Sequence, residues 1–527
     1  MRVLLTLGLA VLFTLATACD TGPKPGEEAV YWGDKLNTAD DIAKRDVALQ
    51  KLNELKDKKA LPALYEALKQ KGPAAELRPR TAELIGIIGD DTSIAPLLEG
   101  IDWTAGAGSN KETRAAANTN EKIAKALAKL GKGDDAKVVD ALKRLTGNNS
   151  QDVQLAALVA LGELKAAGAV QELIEIADGH PNNFMVKNAV ESLGKIGDGK
   201  AARVLGKLLF FERTGVSFYR EASYALFLLG KDAIPVLDEI YEGKFKEIED
   251  LHIEPGVPKT KAVVVYGDLS LPETNKKVLA NVDVNGNDTA TALLRIESQR
   301  AAGRIGLKEA VAGLKNRMDN VDVSQSEHAL AALTQIGVPS VADDIHAMAT
   351  SEGFLKNCKS QDNPEDQCKF SEVQIRKPRV LAFSRMSTDL GKMKAMVDGE
   401  KNEGFKAWMT EQMERVAAAS ECKGDVKCWV GKTKDKSPRV RERAAYALAW
   451  AATDGNEEAT QALMEVVKDE DNETRYAAII GLGRRLPKDP AAAAAITKQL
   501  ADEKGKTQFI RVNEDLKRLE IRMKRGY

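Results

Sequence analysis

Three related segments decide the fold: Leu161-Gly162-Glu163-Leu164, Leu193-Gly194-Lys195-Ile196-Gly197 and Leu226-Phe227-Leu228-Leu229-Gly230. An Ala-rich amphipathic run precedes each, and a second run follows: Ala169-Val170-Gln171-Glu172-Leu173, Ala201-Ala202-Arg203-Val204-Leu205 and Ala233-Ile234-Pro235-Val236-Leu237. Positions 162, 194 and 227 lie 32 and 33 residues apart. A fixed period of that size marks stacked supersecondary units, here helical pairs, each too small to bury its apolar face alone.

Carried along the chain, this register places its marker position at Asn53, Gly86, Ala128, Gly162, Gly194, Phe227, Gly303, Thr334, Ser384, Ala449 and Gly483. The unit is a little over thirty residues, and longer gaps read as insertions. Eight residues before the marker stands Arg45, Arg78, Arg295, Arg376, Arg441 or Arg475. These arginines played no part in choosing the register and so support it. At a fixed place in each first helix they read as a structural ladder with acids such as Glu442 or Glu473.

Motif residues separate the families that share this period. The Trp, Leu-Gly and Tyr pattern of tetratricopeptide units and the Thr-Pro-Leu-His of ankyrin units do not recur. By contrast, Val440-Arg441-Glu442-Arg443-Ala444-Ala445-Tyr446-Ala447-Leu448 and Thr474-Arg475-Tyr476-Ala477-Ala478-Ile479-Ile480-Gly481-Leu482-Gly483 resemble the short HEAT-like repeats named after phycobilisome lyases. The resemblance covers roughly residues 40–500. It implies an all-α fold: an α-solenoid of about eleven HEAT-like helical pairs. It implies no single activity, because such repeats serve many unrelated roles.

The expected organisation runs as follows. Residues 1–18 form a signal peptide: Met1-Arg2, an uncharged apolar run from Val3 to Ala16, then small residues. Ala16-Thr17-Ala18-Cys19 resembles the lipobox of bacterial lipoproteins, with Ala16 where Leu is usual. The resemblance implies diacylglycerol and fatty-acyl chains such as palmitate on Cys19. Residues 19–35 are the lipidated end and a Gly- and Pro-rich tether. HEAT-like repeats fill 36–242 and 289–505, and residues 506–527 form a polar capping helix. Three insertions interrupt the stack. Residues 243–288 contain Ala262-Val263-Val264-Val265-Tyr266 and Asn285-Gly286, which predict a β-hairpin or an extended flap. The insertions near 350–371 and 398–436 each hold a cysteine pair. Export to an oxidising compartment makes Cys358 with Cys368, and Cys422 with Cys428, the expected disulfides.

Composition excludes little. Hydrophobic residues make up 43% and charged residues 29%, and loss of residues 1–18 moves the side-chain balance only from −1 to −2. Nothing is basic enough to track nucleic acid. The four histidines, His180, His252, His328 and His346, are scattered and define no metal centre. Asp283-Val284-Asn285-Gly286-Asn287-Asp288 lacks the glycine and glutamate positions of an EF-hand and reads as a turn before a helix capped at Asp288 or Thr289. No catalytic residue, cofactor or metal is expected. Trp408 and Trp429, both in the third insertion, are candidate partner-binding anchors, a core role being the alternative for each.

The expected function is therefore a non-catalytic, lipid-anchored protein-protein interaction scaffold. Its place would be the bacterial cell envelope, on the outer rather than the inner membrane, facing the periplasm or the cell surface and engaging an envelope protein. Two alternatives stand beside it. One is a lyase-like enzyme or small-molecule carrier using the concave groove, and the other is an assembly factor contacting cell wall or glycan.

Overall fold

A computed structural model describes residues 22–104, 111–286, 288–318, 323–350, 371–484, 490–503 and 510–525. The signal peptide, Cys19, and the pair Cys358 and Cys368 lie outside the described residues. The described chain is an all-α solenoid that divides into two compact units, 1–196 and 197–527.

In the first unit, Glu28–Thr38 leads into pairs that begin with Ile42–Leu55, Arg78–Ile88, Lys111–Leu130, Gln151–Glu163 and Asn183–Ile196. The second members are Leu61–Leu68, Ile94–Glu99, Ala136–Thr146 and Val170–Gly179. The turn within a pair is set chemically. Asp57 and Asp90 accept the backbone N–H two residues on, at 2.9 and 3.2 Å, and start a short 3-10 turn that delivers the chain to the second helix. Asp135 caps Ala136–Thr146 in the same way. Each cap satisfies donors that a helix start leaves open.

Pairs stack through the marker residue. A Cβ on Gly86 would meet Ala126 at 2.9 Å, and one on Gly162 would meet Ser192 within 3 Å, so the first helices approach closely there. In both cases the partner lies two residues before the next marker. The second unit repeats this rule: Gly303 faces Ala332, and Gly267 faces Ala301.

Gly267 is therefore a marker, and it corrects the reading of residues 243–288. Instead of a β-hairpin insertion, that segment carries a further helical pair, Gly256–Leu269 and Pro272–Leu279, packed along Thr289–Ile305. Ala262, Val263, Val265 and Tyr266 are wholly buried. Burial on several sides at once decides the helix over the strand preference of β-branched residues. The β-structure among the described residues is instead a small hairpin, Glu212–Arg213 paired antiparallel with Val216–Ser217. The segment 398–436 is likewise a pair, Glu403–Cys422 and Val426–Lys432, its first helix set between Glu372–Met386 and Pro438–Thr453. Thus two of the three long gaps hold repeats whose sequence is atypical.

The second unit then runs through first helices Tyr219–Leu229, Gly256–Leu269, Thr289–Ile305, Val323–Ile336, Glu372–Met386, Glu403–Cys422, Pro438–Thr453 and Asn472–Arg484, and ends in Ile510–Arg525. That last helix buries Val512, Leu516, Leu519 and Met523. It does more than cover the end of the stack, because its arginines reach back to the earliest helices of the unit.

Candidate functional site

Within the second unit the first helices turn one edge inward, and the register names that edge. Val264, Arg300, Ala331, Leu381 and Tyr446 each stand three residues before a marker, and Asp268, Arg304, Gln335 and Arg385 each stand one after. All nine line a cavity of about 760 Å³. Two positions of the repeat, four residues apart on one helical face, thus recur around the inner wall, which Tyr219, Glu473, Tyr476 and residues of the last helix such as Glu514 and Arg518 complete. The sequence contained this signal, but reading it required knowing which face of the helix is inward.

The wall is charged, and several of its charges are paired. Asp268, nearly buried, accepts Arg304 at 2.7 Å and Arg518 of the last helix at 3.0 Å. Arg300 pairs with Glu297 at 2.9 Å. Arg385 pairs with Glu442, which also binds Arg415, and Glu442 is only 2% exposed. Burial alone would raise the Glu442 carboxyl, but the charges of Arg385 and Arg415 outweigh it and hold the group below its ordinary range. Burial, helped by the Asp268 charge, pushes the Tyr219 hydroxyl up to about 12, so it stays protonated as a donor.

Beside the cavity, side chains of the late helices donate to carbonyls at the ends of first helices of the same unit. Arg484 donates to the carbonyls of Arg304 at 3.1 Å, Gln335 at 2.6 Å, and Gly303. Trp450 Nε1 donates to Thr334 O at 3.0 Å, Arg525 to Phe227 O at 3.0 Å and to Leu228 O, and Arg522 to Gly483 O at 2.5 Å. Every acceptor lies in the last turn of a first helix, where carbonyls lack an intrahelical partner and the helix dipole favours a cation. Inward closure therefore satisfies groups that would otherwise need water.

The first unit has an open groove of about 630 Å³. Leu155, Ala156 and Val159 contribute its apolar floor, beside Gly86 and Ala126. Ion pairs between adjacent repeats edge it, Lys122 with Glu83 at 3.2 Å and Lys195 with Glu163 at 2.5 Å. Val159, in the groove, is 37% exposed, and Ile87 and Phe184 of the same unit, outside its lining, are also exposed.

The residues singled out from sequence fall as follows. Cys422 and Cys428 are disulfide-bonded, with Cα atoms 5.3 Å apart. Trp429 belongs to the core: it is 3% exposed, and its Nε1 donates to Lys423 O at 2.8 Å. Trp408 is half-buried, stacked on Phe405 with Lys377 over its ring. The repeat arginines do not form the expected ladder with Glu442 or Glu473. Arg45, Arg78, Arg376 and Arg441 instead reach the end of the second helix of their own pair: Gln70, Gly100 O, Glu400 and Asp469. Arg295 holds the preceding turn through Val284 O and Gly286 O, while Arg317 takes Asp283 and Asn285. The calcium-like segment is thus tied by arginines, and Asp288 caps the following helix through Thr291 N at 2.8 Å. His328 lines the cavity and His346 packs against Phe383. Among the described residues no group of three or more His, Cys, Asp and Glu side chains could hold a metal, and no helix is long and apolar enough to cross a membrane.

A sequence profile of HEAT repeats matches residues 140–210 and 431–508, one stretch beginning in each unit. No curated protein sequence matches the chain. Among solved structures, yeast importin-beta (Kap95p) is similar at 12% identity and TM-score 0.43, over 91% of this chain and 69% of that one. The Kap95:Nup1 complex is similar at 11% identity and TM-score 0.45, over 93% and 71%. Human deoxyhypusine hydroxylase shares 20% identity over 59% of this chain and 96% of its own, with a TM-score of 0.22. These likenesses concern the helical-repeat fold alone.

Proposed function

We propose that this chain is a non-catalytic protein-interaction scaffold, held through a lipid on Cys19 to the outer membrane of a bacterial cell envelope. The lipobox-like Ala16-Thr17-Ala18-Cys19 after an uncharged apolar run supports the anchor and the location. The observation that carries the scaffold reading is how the two units use their inner edges. The second unit spends its inner edge on its own last helices. The first unit leaves its groove open, with an apolar floor, exposed Val159 and charged rims. Apolar contact area framed by polar groups is the usual anatomy of a protein-binding surface. The charged wall of the second unit's cavity suits an apolar small-molecule cargo poorly.

The partner would be an envelope protein presenting an apolar segment flanked by charges. A photo-crosslinking residue at position 159, introduced in intact cells, is expected to trap one discrete protein adduct, and the same residue at exposed Leu293 of the second unit is not. Equal labelling at both positions, or none at 159, would remove the groove as the binding surface.

A further inference from the structure

The first face of the stack is unusual for a solenoid end. Terminal repeats normally present a polar outer surface, because nothing stacks on them. Here Glu28–Thr38 and the start of Ile42–Leu55 enclose an open cleft of about 520 Å³ walled by Tyr31, Trp32 and Val47, with Lys35, Asp40 and Lys44 at its rim. Tyr31 and Trp32 meet edge to face at 5.0 Å, Lys35 lies over the Tyr31 ring at 5.4 Å, and Val47 is 49% exposed. Lys44 is held by Asp40 at 3.0 Å, so the cleft offers rings and aliphatic carbon more than net charge.

The position of this cleft in the chain decides what covers it. Glu28 begins the first of the described helices, nine residues after Cys19. Nine residues span at most about 30 Å even when fully extended. A lipid on Cys19 therefore keeps the first helix within about one leaflet-to-leaflet distance of the membrane surface, closer than any other helix of the chain is required to be. Tryptophan and tyrosine side chains favour the headgroup region, where an apolar body and a polar tip are both accommodated. We propose that the Tyr31, Trp32 and Val47 face seats in the phospholipid headgroup layer of the membrane that carries the Cys19 anchor. Contact there would fix which way the open groove of the first unit points relative to the bilayer, a control that an acyl anchor alone does not provide.

This inference rests on the anchoring reading, and the two are tested apart. Incorporation of labelled palmitate by cells, with Cys19→Ser as control, decides the anchoring reading by itself. The seating is tested with the mature chain, Cys358→Ser and Cys368→Ser, coupled through Cys19 to a maleimide phospholipid in phosphatidylcholine vesicles with brominated acyl chains. The anchor is thereby imposed whether or not cells supply it. Tryptophan emission is expected to be quenched, to lose at least half of that quenching in Trp32→Phe, and to lose it also in Val47→Glu, whose site is exposed and outside the core. Raising salt should change the signal less than twofold, because the contact is not built on net charge. Quenching that is unchanged in Trp32→Phe, or absent from the parent chain, overturns the proposal. Quenching that vanishes in salt overturns it as well, and points to an electrostatic contact elsewhere.

Discussion

Trp450 fills the space that Gly337 leaves empty. Gly337 follows the helix Val323–Ile336 with φ +81°, and a Cβ built on it would collide with the Trp450 indole. The indole Nε1 then reaches Thr334 O at 3.0 Å, 116 residues earlier in sequence. Gly306 stands in the same relation to Arg484, with φ +83° and a would-be Cβ 2.8 Å from Arg484 Nε. Two helix-ending glycines thus admit two of the side chains that close the second unit.

Gly337→Ala should accordingly be costly for two separable reasons, left-handed strain and displacement of Trp450. We expect a loss of about 2–4 kcal/mol in urea unfolding, from about 1 kcal/mol of strain and the remainder from packing. Trp450→Phe, which keeps most of the ring and removes the donor, should cost only about 1–2 kcal/mol. A Gly337→Ala loss below that of Trp450→Phe would show that the indole moves aside at little cost.

Arg484 donates to three carbonyls on two earlier helices. Its replacement by Met keeps much of the aliphatic volume but strands those acceptors. A stability loss of about 2–4 kcal/mol is expected from bonds to a charged donor. Hydrogen exchange should rise at the ends of Thr289–Ile305 and Val323–Ile336, and not in the first unit. Uniform exchange changes across the chain would contradict a local staple.

Glu442 links pH to stability. Its folded pKa lies below its unfolded value of about 4.3, so it contributes stability above that value and loses it as pH falls through the folded pKa. Unfolding free energy should therefore be nearly flat in this respect from pH 8 to about 5 and fall below about 4. Glu442→Gln should cost about 3–5 kcal/mol at pH 7, because Arg385 and Arg415 would stay buried without their carboxylate. The gap between parent and variant should narrow as the parent carboxyl protonates. A gap that is constant from pH 7 to pH 3 would mean that shape, and not charge, is what Glu442 supplies.

How much of this could be read in advance differs from residue to residue. Leu161 to Gly230 displays the period because each pair there meets the same structural demands at the same spacing: a buried marker residue, a short 3-10 turn and an apolar face on the second helix. Gly256–Leu269 reads as strand from sequence because Ala262 to Tyr266 carries strand-favouring residues, and only their burial among neighbouring helices reverses that preference. Trp429 and Trp408 look alike as letters, yet one is core and the other half-buried, a difference made by which helix packs above them. The repeat arginines were correctly placed on the first helices but assigned the wrong partners, since the end of the second helix is near them only after the turn has formed.

The sequence by itself determined the helical repeat and its register, and narrowed one helix N-cap to Asp288 or Thr289, because each follows from contacts between residues close in the chain. The closure of the second unit was decided only by tertiary structure. Arg484, Trp450, Arg518 and Arg525 meet partners between 116 and 298 residues away, and such distances are set by the small rotation accumulated at every step of the stack, which no single repeat encodes.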